Sequence, residues 1–181
     1  MPSNQAAWLS SKLARPLKVK PAPYTPPGEN EIVVKNGVVA TNPFEWFKQV
    51  AGDLMFSWIK YPFVMGSYLA GEVVKMGKGV TRFRVGDRVM GHAVGMGPKS
   101  NKSAEGAFQK YTVVRANMAS PVPSSMPYEN ACVLPLCLST AARGLFQKDF
   151  LALPYPTVSP RPNGKTVLVW GGSISVGSNA I

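Results

Sequence analysis

Polar and apolar positions alternate along this chain in short bursts punctuated by glycine and proline, and helical periodicity is confined to one later stretch. Glu31-Ile32-Val33-Val34-Lys35 reads as a buried strand continuing through Val38 to Ala40, because β-branched side chains crowd a helix but fit a pleated surface. The segments Gly71 to Gly77, Val85 to Gly91 and Ala107 to Val114 each combine β-rich residues with glycine, which predicts the short strands of a small, bent barrel. A first strand is expected around Leu17 to Val19, before a turn built on Pro21, Pro23, Pro26, Pro27 and Gly28. Arg82, Arg84 and Arg88 alternate with Val80, Phe83, Val85 and Val89, as on the wet face of a strand.

From Tyr128 to about Lys148 the period changes. Ala131, Leu134, Leu138, Ala141, Ala142 and Leu145 recur at helical spacing, with Glu129 near the start, where it suits the helix dipole. Pro135 interrupts this run, so a short turn and then a helix from about Leu136 are predicted. Four prolines between Leu151 and Asn163 predict an exposed connection, and the apolar residues from Lys165 to Trp170 predict a strand feeding the turn Gly171 to Gly177. The expected organisation is a barrel over 1–126, a helix and proline-rich linker over 127–163, and the start of a nucleotide domain over 164–181.

Composition narrows the class. A hydrophobic fraction of 45% with 16% charged residues is globular, and no apolar run approaches the roughly 20 residues of a bilayer span; no membrane partner is expected. The net charge of +11 raises nucleic-acid binding, but the basic residues are scattered from Lys12 to Lys165 and read as a solvated surface or as steering for an anionic cofactor or acyl carrier. With two cysteines and no signal-peptide pattern, a reducing, cytoplasmic setting is expected in preference to a mitochondrial one. Cys132 and Cys137 fall in an apolar helical region and read as inert thiols.

The turn Gly171, Gly172, Gly177 does not reproduce G-x-G-x-x-G. Small residues there still let main-chain N–H groups approach a diphosphate at a helix start. Other motifs precede it in a fixed order: Pro27-Gly28-Glu29, Asn42-Pro43-Phe44-Glu45-Trp46, Tyr61-Pro62-Phe63-Val64-Met65-Gly66, Ala70-Gly71-Glu72-Val73, Val85-Gly86-Asp87-Arg88-Val89, Gly106-Ala107-Phe108 and Leu138-Ser139-Thr140-Ala141-Ala142. This succession resembles the medium-chain dehydrogenase/reductase superfamily in its zinc-independent quinone- and enoyl-reductase branch, and looks closest to fungal trans-acting enoyl reductases and zinc-binding-dehydrogenase-like proteins.

The resemblance implies a mainly β protein: a GroES-like barrel, then a helix and the first strand and turn of a Rossmann α/β domain that is cut off. It also implies NADPH as cofactor, with NADH open because the deciding residue lies past Ile181. A small enoyl or quinone-like acceptor, free or carrier-bound, completes the implied reaction. Asn42, Pro43, Glu45, Thr140 and the turn Gly172, Ser173, Ile174, Ser175, Val176 and Gly177 are then the cofactor residues. Ala141, Arg143, Gly144 and Phe146 border the acyl pocket, and Thr140 and Lys48 are the catalytic candidates. Two departures stand out: Glu45-Trp46-Phe47-Lys48 replaces the family's Asp-Trp-Lys, and Gly66-Ser67-Tyr68 replaces Gly-Ser-Asp.

A catalytic zinc needs about three Cys, His or acidic ligands. Ala40, Thr41, Ser67 and Tyr68 stand where the zinc enzymes carry theirs, and His92 reads as a loop or packed histidine, so no metal is expected and the chemistry falls to the cofactor. Tyr68 is a further candidate proton donor, set against core packing. The alternative reading is an inactive truncated fragment or a GroES-like binding module.

Overall fold

Strands pair where β-branched residues coincide with a buried face, and the computed structural model, which describes every residue except Met1 and Asn163, shows where that happens. Among the described residues, eight strands form two antiparallel sheets: β1 (Asn4–Leu9), β2 (Lys18–Ala22) and β4 (Phe63–Val64) in the order β2-β1-β4, and β3 (Glu31–Ala40), β5 (Tyr68–Met76), β6 (Arg88–His92), β7 (Tyr111–Arg115) and β8 (Ala119–Pro121) in the order β7-β3-β5-β6-β8. Helices α1 (Pro43–Ala51), α2 (Tyr128–Cys132), α3 (Pro135–Phe146) and α4 (Ser175–Ser178) complete the architecture. The chain divides into one unit up to Pro135 and a second from Leu136. Helix α2 therefore stays with the sheets, packed on β3, β5 and β6.

Ile32, Val34, Leu69, Val73, Phe83, Val89 and Val114 form the main core. A second core of Leu9, Ile59, Phe63, Met65 and Met96 lies beneath the smaller sheet. The pairing of β3 with β5 carries a register shift between Asn36 and Val38. Gly71 sits opposite it, where an added Cβ would lie 2.1 Å from the Lys35 carbonyl oxygen, so only glycine allows the strands to approach this closely.

Three expectations change. The first strand is β1, not the Leu17–Val19 segment, and β2 carries Pro21 within it; that proline is tolerated because β2 lies at a sheet edge. The Arg82–Val89 alternation is mostly loop, in which Asp87 accepts from the Arg84 N–H at 2.7 Å. Arg88 is a tie, not a wet-face cation: its guanidinium lies 4.5 Å from the Tyr128 ring centre and donates to the carbonyls of Ser124 and Met126, fixing the approach to α2. Finally, residues 165–169 run without a ladder. No described strand lies alongside them to supply the hydrogen bonds that define one.

A polar knot holds the region where the two sheets diverge. Asn36 Nδ2 donates to the Gln109 carbonyl at 2.8 Å and to Thr112 Oγ1 at 2.9 Å. Asn4 Nδ2 donates to Gln109 Oε1 at 2.9 Å, and Gln109 Nε2 donates to the Gly106 carbonyl at 2.7 Å. Asn36 Oδ1 is buried without a partner, yet the donors of this knot are specific locks, because each leaves an unpaired acceptor if removed.

Candidate functional site

Helix α1 begins with a complete capping box. Asn42 caps its start, accepting from the Phe44 N–H at 3.3 Å, while Glu45 Oε2 accepts from the Asn42 N–H at 2.8 Å, and Pro43 fills the first turn. Asn42 Nδ2 also donates to the Tyr68 hydroxyl oxygen at 3.2 Å. Tyr68 pairs with His92 across β5 and β6, so both side chains stand on the same face of the sheet. Burial holds the His92 imidazole below its ordinary value, keeping it neutral at pH 7.

The remainder of α1 is inverted relative to an ordinary surface helix. Its charged residues Glu45 and Lys48 are buried, at 2% and 0% exposure, whereas Trp46, Phe47 and Val50 face outward. Lys48 Nζ donates to the carbonyls of Gly52, Met55 and Phe56 at 3.1, 2.8 and 3.2 Å and pairs with Asp53 at 3.3 Å. The ammonium is thus committed to closing the turn after α1, with no exposed surface of its own. Asp53 also accepts from the Tyr61 hydroxyl at 2.7 Å; that hydroxyl holds the carboxyl below its usual value, and burial followed by Asp53 pushes Tyr61 up to about 12. Sequence periodicity did not reveal this network, because a charged residue on the inner stripe of a helix looks like a break in the pattern.

Burial raises the Glu45 carboxyl above its ordinary value, opposed by the Asn42 and Ser67 groups beside it. A raised folded-state value favours folding below the ordinary value of 4.5, and that advantage is lost as pH rises through the raised value. Glu45→Gln, which keeps an acceptor for the Asn42 N–H, is expected to gain stability relative to wild type as pH rises from about 4.5 toward 7. Urea unfolding of both proteins across that range checks it, and a difference independent of pH contradicts it.

In the second unit, α3 and the glycine turn meet over a cavity of about 280 Å³. Thr140, Ala141 and Gly144 line it from α3, and Ile174, Val176 and Gly177 line it from the turn. The Thr140 hydroxyl donates back to the Leu136 carbonyl at 2.8 Å, which leaves its oxygen able to accept. Arg143 and Phe146 are engaged elsewhere: Arg143 lies 5.4 Å from the Phe150 ring centre, and Phe146 packs on Tyr155 with ring centres 5.3 Å apart.

Gly171 adopts a φ of +82°, and a Cβ on Gly177 would stand 2.1 Å from the Gly171 carbonyl oxygen. The turn therefore has the close backbone approach that a diphosphate site requires. No described residue accepts from the main-chain N–H groups of Ser173, Ser175 and Val176, so the phosphate end of a dinucleotide fits the residues present. Helix α4 follows the turn directly at Ser175. Among the described residues, no three His, Cys, Asp or Glu side chains converge as a metal site, and no helix is long and apolar enough to cross a membrane.

Two antiparallel sheets with a core under each, followed by a helix and a glycine turn, are the architecture of a GroES-like domain leading into a nucleotide fold. The chain belongs to the alcohol dehydrogenase GroES-like domain family, whose model matches residues 28–124. It is 59% identical over its whole length to the dehydrogenase pigH of Monascus ruber, covering 49% of that protein. It is also 44% identical to the trans-enoyl reductase himH of Aspergillus japonicus, with 98% of this chain and 50% of the relative covered. Among solved structures, an alcohol dehydrogenase superfamily protein from Novosphingobium aromaticivorans matches with a TM-score of 0.78 at 27% identity, over 98% of this chain and 48% of the other. The chain spans about half the length of the curated relatives it matches.

Proposed function

We propose that this chain forms the acceptor-side domain and the first part of the cofactor site of an NADPH-dependent reductase of activated C=C bonds, enoyl or quinone-like, working without a metal in a reducing cytoplasm. The observation that carries this reading is the shared cavity: Thr140, Ala141 and Gly144 face the glycine turn at Val176 and Gly177 within one apolar space. Main-chain N–H groups of the turn hold the diphosphate. The Thr140 oxygen, oriented by its bond to Leu136, would accept from the amide of a bound nicotinamide. When bound, the nicotinamide supplies a hydride to the acceptor's β-carbon, with a proton completing the α-carbon. Asn42, Pro43 and Glu45, at the start of α1, are further cofactor contacts in this reading, and Ala141 and Gly144 keep the wall of the cavity low enough for a planar group.

The test uses a polypeptide that joins this chain to the second half of the Monascus ruber relative, followed at the NADPH absorbance with enoyl thioesters and quinones as acceptors. Consumption that depends on acceptor supports the reading, and none across the panel overturns it. In that polypeptide Thr140→Val, which keeps shape and removes one hydrogen bond, is expected to weaken NADPH binding about five- to tenfold, the equivalent of about 1 kcal/mol. An unchanged Kd removes Thr140 from the cofactor site.

A further inference from the structure

At the end of β3 remote from α1, four charged side chains surround one cavity and none of them pairs with another. Glu29, Glu31, Arg82 and Arg115 line this space of about 560 Å³, together with the neutral polar groups of Thr81 and Asn117. Among the described residues, no salt bridge joins either arginine to either glutamate. The whole lining belongs to the first unit. The 10 residues of β3, about 30 Å of extended chain, separate it from the start of α1.

Three of these charges are held in place by groups other than their opposites across the cavity. Arg115 stands directly opposite Glu31 in the ladder of β3 and β7, so the two side chains share a face. Even so, the Glu31 carboxylate turns to the Gly28 N–H at 2.7 Å, and Arg115 Nε lies 3.5 Å from the buried Glu105 carboxylate. Arg82 donates to the Ala116 carbonyl at 3.4 Å and lies 5.3 Å from the Phe83 ring centre. These contacts occupy one edge of each guanidinium and leave its other N–H groups without a protein acceptor. Glu29 is exposed, and its side chain makes no hydrogen bond or ion pair among the described residues. The walls are fixed as well: the Asn30 N–H donates to the Lys78 carbonyl at 2.8 Å, and the Ala116 N–H donates to the Asn30 carbonyl at 2.9 Å. A polar cavity with preset walls binds with little ordering cost.

We propose that this cavity is a binding site for a small zwitterion, with an ammonium at one end and a carboxylate or phosphate at the other. Its volume is that of a small-molecule site. The lining carries two cations and two anions, so a ligand of one sign is attracted by one pair and repelled by the other. A dipolar ligand gains from both. The fork of a guanidinium matches a carboxylate or a phosphate through paired N–H groups, and the free Glu29 carboxylate accepts from the ammonium. Thr81 and Asn117 supply hydrogen bonds to neutral polar groups between the two ends.

Titration of the 181-residue chain, followed through its backbone amide resonances, tests this with glycine, β-alanine, γ-aminobutyrate, 6-aminohexanoate and phosphoethanolamine as probes. The amino acids of increasing length measure the separation of the two ends, and phosphoethanolamine tells phosphate from carboxylate. At least one probe is expected to shift the amides of residues 29–31, 79–82 and 115–117 saturably. It should bind at least about tenfold more tightly than acetate, inorganic phosphate or ethanolamine, each of which carries one end only. Arg82→Gln is expected to weaken that probe about tenfold, with unchanged circular dichroism because the side chain is exposed. Glu29→Gln is expected to weaken it similarly while inorganic phosphate binds more tightly, a reversal that loss of structure does not produce. The proposal is overturned by no saturable shift at these residues with any probe, by acetate or phosphate binding as tightly as the best zwitterion, or by affinities that neither substitution alters. No readout depends on turnover or on NADPH, so the result stands apart from the reductase reading.

Discussion

Replacing Lys48 with alanine is expected to lower the unfolding free energy of the first unit by about 3–5 kcal/mol, the scale of breaking a buried charged network from one side. The ammonium serves three carbonyls and Asp53 at once, with no exposed surface of its own. Asp53 keeps Lys12 and Tyr61 after the substitution, so the loss concentrates on the carbonyls of Gly52, Met55 and Phe56. Each buried acceptor left without a donor costs about 1–3 kcal/mol, moderated where water enters. Lys48→Met, which preserves most of the volume, should be nearly as damaging, and that result separates lost hydrogen bonding from lost packing. Urea unfolding provides the measurement. Near-wild-type stability together with lost nucleotide binding would return Lys48 to the reactive centre and refute the structural role.

Gly177→Ala is the second large effect, and it falls on ligand binding. Its Cβ would sit 2.1 Å from the Gly171 oxygen and 2.8 Å from the Gly171 carbon, both main-chain atoms that cannot rotate away. The turn must open to admit the methyl group, displacing the N–H groups of Ser173 to Val176 from any shared target. In the polypeptide joined to the relative's second half, NADPH affinity is expected to fall at least about tenfold, a loss above about 1.4 kcal/mol. Fluorescence titration with NADPH reads it directly, and an unchanged Kd removes the turn from the cofactor site.

The elements legible in the sequence were those whose own residues decide them. β3 declares itself through Ile32, Val33 and Val34, all fully buried, and α3 begins at Pro135 because proline suits a first helical turn as well as it blocks an interior one. β1 was not legible: Asn4-Gln5-Ala6-Ala7 carries little β preference, and its partners are β2, β4 and the chain at Gln109. Arg88 was misread because its role depends on Ser124, Met126 and Tyr128, residues far along the chain that only folding brings near. The candidate site shows the same division. The glycine turn and Thr140 were visible as local chemistry, whereas the inverted burial of Glu45 and Lys48 follows from what lies beneath α1, which no periodicity encodes.

The thiols lead in a different direction. Cys132 is fully buried against the Val38 carbonyl at 3.6 Å, and burial pushes its thiol up to about 11; Cys137, too, is 1% exposed. Thiolate is the species that alkylating dyes capture; burial keeps the Cys132 thiol protonated at neutral pH, and burial alone keeps Cys137 out of a dye's reach. The wild-type chain is consequently a quiet background for site-directed labelling: a single cysteine introduced at an exposed position can carry a fluorophore or spin label without first removing the natural pair.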